Sequence, residues 1–513
     1  MGTSLVHAVL DAVRIGSGWE FRTREIAAEH LGVPVAAVSE AEILSASVDS
    51  RRGAPKILLT LRVEAAGAPA SPPEAFAGFV PEVPRLAPRF ASLRHPLVVG
   101  TGPAGIYAAL LLAESGCEPI ILDRGAPVEE RTADCEKFLR TRTLDPASNL
   151  LVGEGGAGTF SDGKLHTGIK DRRAGWVKRI MAECGAPDEI RWQSRAHAGS
   201  DSLRRVAANL RRRIEALGGR FLFHTEVTDV AVRSGVCAGV VTASGETITA
   251  PLTLIAPGLG GRELVRNLTR RAAWEPKPFQ IGCRIEHPQE FIDLRMYRMP
   301  RPAALGAAEY HLVSRKASRH VASFCMCPGG EVVNATAWEH HSATNGMSLF
   351  ARAGKFANSC LIATFAPDEL GGPEETRERI AALERACFTA GGGDYTLPAQ
   401  DAAAFLRRQD GLSDRTGSPA VGIRPGRIDE LIPPELFDAL SAALRDFDAR
   451  IPGFIRRGRF IGVESCVSSP IRFLRDPVTG ASSLPRLYLA GEGCGAAGGI
   501  ISAACHSLLL FTE

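Results

Sequence analysis

Hydrophobic positions along the chain follow two rhythms, one helical and one alternating, and the places where they change outline its organisation. Near the start, "TREIAAEHLGVP" carries apolar residues at helical spacing and "KILLTLRVE" alternates as a half-buried strand does. Residues 1–92 therefore predict a small α/β module that ends in a linker. That linker, "GAPASPPEAFAGFVPEVPRLAP", is kept extended by its prolines, as a boundary or as a strap across another domain. The short run "HPLVVG", rich in β-branched residues and ending at glycine, opens the next segment with a strand. Over 200–260 come a helix in "LRRVAANLRRRIEALGG", a strand in "FLFHTEVTDVAV", a hairpin in "GVCAGVVTASGETITA" and an apolar strand in "LTLIAPG". Residues 276–450 differ: strand-like runs such as "FQIGCRIEH" and "HVASFCMCP" give way to helices rich in Ala and Arg. The last stretch, "LPRLYLAGEGCGAAGGIISAACHSLLLF", again reads strand, glycine loop, helix. The expected fold class is α/β, with a doubly wound domain built from 93–275 and 451–513 and a sheet-based domain, 276–450, inserted between them.

Length and composition narrow this picture without redirecting it. A chain of 513 residues exceeds one simple core, and 45% hydrophobic with 23% charged residues fits a soluble protein. A net charge of +3 argues against a polybasic nucleic-acid binder, and the Arg runs at 204–205, 211–213, 270–271 and 456–457 read as solvated faces. Of twelve cysteines only Cys325 and Cys327 are closely spaced. No CxxC pair or Cys/His cluster suggests a metal, so no metal site is expected, and a reduced, cytoplasmic setting is the simplest reading. No basic start with an apolar core and no apolar run of about 18 residues occurs, so neither a signal peptide nor a membrane span is expected.

The chemistry begins at "VVGTGPAGIYAALLLAESGCEPIILDRG", residues 98–125. Gly100, Gly102 and Gly105 form G-x-G-x-x-G between a strand and a helix, with Pro103 and Ala104 opening the helix. The first glycine permits the tight turn, the second close approach of a pyrophosphate, and the third close helix packing, while the helix N-terminus offers free N–H groups. After Gly105 come seventeen residues and then Asp123, where a carboxylate can accept hydrogen bonds from ribose hydroxyls, followed by Arg124. Strand, glycines, helix, second strand and acid in register make a Rossmann-like dinucleotide site. The closing "LYLAGEGCGAAGGIISAA" favours FAD over NAD, because Gly491 and Glu492, then Gly498, Gly499 and Ile500, form a second cradle with a helix N-terminus aimed at a flavin. A third glycine cluster, "GEGGAGTFSDGKL", is too glycine-rich for core. It places Gly155, Gly156, Ala157, Gly158, Thr159, Phe160, Ser161 and Lys164 against the same ligand.

These motifs, with "RAHAGSDSL", "KPFQIGCRIEHPQEFID", "FCMCPGGEVVNA", "TNGMSLFARAGKFANS" and "GVESCVSSPIRF", resemble the bacterial FAD-dependent dehydrogenase-like flavoproteins, distantly similar to geranylgeranyl reductases and the glutathione-reductase superfamily. The resemblance spans about 95 to 505 and implies FAD as cofactor. It implies that Gly100, Gly102 and Gly105 bind the pyrophosphate, Asp123 the adenosine ribose, with Arg131 near the phosphates. It places Gly156, Gly158, Thr159, Ser161, Gly491, Glu492, Gly498 and Gly499 along the flavin. Val227, opening a strand of the same domain, completes the expected cofactor set. The chain departs from its relatives at Cys466, where they usually carry Arg, and at Cys494, where they usually carry a small residue.

For catalysis, "QIGCRIEHP" offers Arg284 and Glu286 on one face and His287 as a proton carrier. Tyr310, His311, Asn345 and Glu464 are further polar candidates. Cys325 and Cys327, two apart on a strand, suit packing better than a disulfide. The expected activity is hydride transfer through flavin N5 on a small organic substrate, as C–C desaturation or C=C reduction. Only one G-x-G-x-x-G precedes a strand–helix unit, so no resident NAD(P)H domain is expected: the second electron partner is the substrate itself, oxygen or a separate electron-transfer protein, with NADPH or NADH at most a transient donor. The alternatives are an NADPH-dependent flavin monooxygenase and, in another class, an RNA-associated flavoprotein or a non-catalytic flavin-binding scaffold.

Overall fold

In the computed structural model, which describes residues 2–316 and 319–512, the run "LVV" is the central strand of a five-stranded sheet. Its order is Leu487–Leu489, Thr253–Ile255, Leu97–Val99, Ile120–Leu122, Arg220–Leu222, and every pairing is parallel. Both faces of such a sheet are covered, which is why its inner strands are apolar runs and not alternating ones. Val98 and Leu254 face the helices Pro103–Glu114 and Ile500–Phe511, together with Arg173–Glu183 and Ser200–Ala216. Leu97, Val99, Ile255 and Leu487 face the other way, onto a three-stranded meander over 227–249 and the helix Arg262–Leu268.

The second body is an eight-stranded, largely antiparallel sheet in the order Val313–Ser314, Val321–Asn334, Phe356–Phe365, Phe279–Pro288, Arg459–Glu464, Leu397–Asp401, Ile423–Pro425, with Thr344–Met347 paired alongside Val321–Asn334. Helix Pro434–Arg450 lies over strand Phe356–Phe365 and buries Leu436, Leu440, Leu444 and Phe447 in the core it shares with this sheet. One boundary differs from the sequence reading, which began the closing segment of the first domain at 451. Strand Arg459–Glu464 pairs with Phe279–Pro288 inside the second sheet, so this body runs through 464. The chain re-enters the first body at Ile471–Phe473, which pairs with Trp274–Pro276. An apolar "RFIGVE" satisfies either sheet, and long-range pairing decides between them.

The N-terminal module is a three-stranded antiparallel sheet, Gly2–Asp11, Lys56–Ala65 and Val38–Asp49 in that order, with helix Thr23–Leu31 packed on it. It shares a core with the second body, and Trp19 meets Trp192 edge-on at 6.0 Å. The proline-rich stretch lies as a strap on the first body: Ala87 N–H donates to Phe511 O, and Leu86 bridges to Thr512. Among the described residues no helix is long and apolar enough to cross a membrane.

Candidate functional site

The turn after Leu97–Val99 is dictated by sterics. Gly100 has φ +97°, and a Cβ there would collide with Ala256 O, while one on Gly105 would collide with Gly100 O. Gly102 caps helix Pro103–Glu114 without a side-chain hydrogen bond, Pro103 takes its first position, and Ile106 N–H donates to Gly102 O at 2.9 Å. The amides of Ala104 and Gly105 are thereby left at the helix start with no intrahelical acceptor. Asp123, 9% exposed, lies beneath this turn. Its Oδ2 accepts from Thr101 N–H (2.9 Å) and Thr101 Oγ1 (2.5 Å), and its Oδ1 from Gly125 N–H (2.8 Å). The neighbouring Arg124 donates to Gly260 O at 3.0 Å.

Arg131 is the feature that points to an anionic ligand. It is fully buried, and its four hydrogen bonds all go to main-chain carbonyls: Nε to Asn149 O (2.8 Å), and Nη1 to Gly153 O (3.2 Å), Glu154 O (2.6 Å) and Gly156 O (2.9 Å). Nη2 has no partner among the described residues. Burial pushes its pKa down to about 10, although Cys135, Asp123 and Glu154 oppose the shift at longer range. A buried charge is normally paired, so a guanidinium with carbonyl partners and a free N–H fits the diphosphate of a dinucleotide. The phosphate loop and the loop pinned by Arg131 also touch: a Cβ on Gly156 would stand 3.0 Å from Gly102 Cα. Phe160 lies under the Arg131 guanidinium at 4.8 Å.

The closing glycine segment joins the same place. A Cβ on Gly491 would lie 3.3 Å from Ala104 Cβ, and one on Gly158 3.1 Å from Ile500 Cγ1, at the start of helix Ile500–Phe511. Gly499 precedes that helix at φ +79°, and Glu492 stands beside Gly498 with Lys277 3.7 Å away. Burial raises the Glu492 pKa against the opposing pull of Lys277. Thr159 Oγ1 donates to Glu154 O and Ser161 Oγ to Gly158 O, fixing the loop that also holds Ala157 and Gly155. Val227 lies apart, in the apolar layer between the sheet and its meander. Thus the structure brings the three glycine segments together and leaves Val227 in the core.

The far end of the 153–165 loop reaches the second sheet. Asp162, nearly buried, accepts two N–H donors from Arg352 (3.0 and 2.6 Å) and the Ser348 hydroxyl, with Lys164 Nζ 3.0 Å away. Burial alone would raise its pKa, but Lys164 and Arg352 hold it well below the usual carboxylate range. Burial likewise acts to lower the Lys164 pKa, and Asp162 with nearby thiols reverses this, so the ammonium stays charged. Lys164 Nζ is 3.6 Å from Cys327 Sγ. Behind it, Arg284 is fully buried and paired with Glu464 through Nε and Nη2, both at 2.6 Å, while Nη1 donates to Asn358 Oδ1 (2.7 Å) and Cys325 O (3.1 Å).

Glu286 does not join this cluster. It accepts from Arg459 Nε (3.0 Å) and Ser418 N–H (3.2 Å), and burial raises its pKa. His287 turns to the opposite face, fully buried among Phe291, Tyr310 and Phe454, with Nε2 2.9 Å from Phe454 O. Burial lowers its pKa to about 4, so it is neutral at pH 7 and removed from the loop.

Sequence reasoning missed Arg262. Its guanidinium stacks 3.5 Å over Trp338, bonds to the fully buried Glu384 (2.6 and 3.1 Å) and comes within 3.5 Å of Cys466 Sγ. A guanidinium thus stands beside Cys466 after all, supplied from elsewhere in the chain. Burial raises the thiols of Cys466 to about 11 and Cys494 to about 12, and all twelve cysteines are free.

Comparison with known proteins adds a family to this geometry. Residues 278–466 match the model of the family described as FAD-dependent protein, C-terminal domain-like. An uncharacterized protein of Clostridium beijerinckii is 40% identical over 425 residues, covering 81% of this chain and 79% of the relative. Among solved structures, a geranylgeranyl bacteriochlorophyll reductase-like protein from Thermoplasma acidophilum has 13% identity and a TM-score of 0.34, over 80% of this chain and 75% of that one. CtdE in complex with FAD has 13% identity and a TM-score of 0.32, over 81% and 82%.

Proposed function

The chain belongs to a family of FAD-dependent oxidoreductases, and from that premise we propose that it adds hydrogen to, or removes it from, a carbon–carbon bond of a small organic substrate held between the 153–165 loop and the second sheet. One observation carries this reading. The same loop sets Gly156 against the phosphate turn at one end and Asp162 and Lys164 against the second sheet at the other, which supports a substrate bound where this loop meets the sheet.

Arg131 Nη2 and the amides of Ala104 and Gly105 would hold the diphosphate, and the segments around Gly158, Gly491 and Gly499 would border the flavin. Bound FAD supplies hydride exchange at its N5. Lys164 Nζ, kept protonated by Asp162, gives a fixed positive charge at the loop end, and Arg284, locked by Glu464 and Asn358, backs it from the sheet. Glu286 and His287 support the sheet from outside this cluster.

The test is to reduce the purified holoprotein chemically without oxygen and mix it with candidate alkenes, following the flavin band and analysing the product. Reoxidation with gain of two hydrogens in the product is the expected result. A flavin that stays reduced with the alkene and, once oxygen is admitted, reoxidises with an oxygen atom inserted into the substrate would replace this reading with the NADPH-dependent monooxygenase.

A further inference from the structure

The N-terminal sheet has two edges, and the chain closes only one of them. Strand Val38–Asp49 is broken by register shifts between Val38 and Glu40 and between Ile43 and Ser45. The 192–194 segment also covers it, with Ala46 N–H donating to Trp192 O (3.0 Å) and Ser194 N–H to Ala46 O (3.0 Å). Strand Gly2–Asp11 forms the other edge and pairs with Lys56–Ala65 over its full length without a shift. A long, regular edge is a template for another strand unless charge, proline, a bulge or a covering segment blunts it.

The covering of this edge stops half-way. Ser71 N–H donates to Thr3 O (2.8 Å) and Leu5 N–H to Ser71 Oγ (2.9 Å), so the main-chain groups of the odd-numbered residues point outward. At the other end Asp11 O accepts from the N–H groups of Arg14 (3.2 Å) and Ile15 (2.9 Å). Between these limits the outward N–H and C=O of His7 and Val9, the Leu5 carbonyl and the Asp11 N–H have no hydrogen-bond partner among the described residues. Residues 6–10 carry no lysine, acid or proline. Val9 is 60% exposed beside its cross-strand neighbour Leu58 at 38%, and Val13 and Phe21 stand exposed in the loop that follows the strand.

We propose that a second copy of this chain closes the edge, the two Gly2–Asp11 strands running antiparallel about a twofold axis at Ala8. The groups left free argue for a copy of the same strand. In that register His7 lies opposite the partner's Val9 and exchanges two hydrogen bonds with it, and Val9 does the same with the partner's His7. One step out, the free Leu5 carbonyl meets the free N–H of the partner's Asp11, while Leu5 N–H and Asp11 O, which would need partners at that step, are already spent within each chain. Every free outward group from Leu5 to Asp11 is thereby paired, whereas a slip of two residues leaves a donor or an acceptor unpaired. Ala8, buried on the core side, puts a small side chain on the axis. The contact is isologous, as a closed dimer requires. It is independent of the oxidoreductase reading above.

The experiment is sedimentation equilibrium of the full-length protein over a range of concentrations. A dimer is expected at micromolar concentration. Val9→Pro removes one outward donor per chain at a position where an edge strand tolerates proline, and should weaken the dimer roughly 10- to 100-fold. Val9→Lys, which places a charge on the exposed edge, should do the same and covers the case in which Val9→Pro disturbs the strand. Hydrogen exchange on the unaltered protein reads the contact directly: the His7 and Val9 amides should exchange more slowly in the dimer than in the diluted monomer. A monomer at every concentration, a dimer unaffected in both folded variants, or His7 and Val9 amides that exchange equally fast in both states would overturn the proposal. A yellow monomer leaves the flavoenzyme reading standing.

Discussion

Replacing Arg131 by lysine separates its two tasks. The guanidinium pins the 149–156 loop through four carbonyls and leaves Nη2 for a ligand. A lysine Nζ can take over the Nη1 position among Gly153, Glu154 and Gly156, but it cannot also reach Asn149 O and the Nη2 position, because it is one point and not a planar fork. The Asn149 carbonyl, left unsatisfied, costs about 1–3 kcal/mol of stability. The ligand contact, if it is a charge-assisted bond to phosphate, is worth roughly 1.5–3 kcal/mol, or roughly 10- to 150-fold in FAD affinity. Titration of apoprotein with FAD, followed by quenching of flavin fluorescence, reads that loss. ADP and adenosine binding identify its origin: ADP should weaken in Arg131→Lys and adenosine should not, since only ADP carries the diphosphate. Unchanged FAD affinity in a folded Arg131→Lys protein would refute the assignment, and so would equal weakening of ADP and adenosine.

Two further outcomes follow from the second sheet. Glu464→Gln strands the fully buried Arg284 charge, a loss of about 3–5 kcal/mol. At about 1 °C per kcal/mol for a chain of 513 residues, the melting temperature by calorimetry should fall by roughly 3–5 °C, and Arg284→Met combined with Glu464→Gln should recover most of it. The histidine contribution to stability should fall with acid between pH 6.5 and about 4, because burial holds His197, His287 and His506 near 4 while the unfolded chain titrates at 6.5. In that window the unfolded state binds protons that the folded state does not, at about 3 kcal/mol for each histidine, and above it the contribution is flat. Denaturant unfolding across the window checks this, and His287→Gln, which keeps a donor for Phe454 O, should lose one histidine's share of the slope. An unchanged slope in that variant would contradict the reasoning.

What the sequence made legible was local. The glycines at 100, 102 and 105 are forced by a turn a few residues long, so their pattern carries the parallel sheet and the cofactor turn with it. Alternation likewise put Arg284 and Glu286 on one face, although it did not show that an aromatic core awaited His287. Partner choice was not legible. Arg284 meets Glu464 and Asp162 meets Arg352 across more than 150 residues of chain, and only the assembled sheet brings them together. The same holds for Arg262 with Glu384 and Trp338, and for strand Arg459–Glu464, which carries no local mark of the sheet it joins.

The most direct test of the account is the absorption spectrum of the purified protein, followed by chromatography of the flavin released on denaturation. The account predicts a yellow protein that releases FAD in a ratio near one per chain, and an Arg131→Met variant depleted of it. A folded protein that carries no flavin and cannot be loaded with FAD would contradict it.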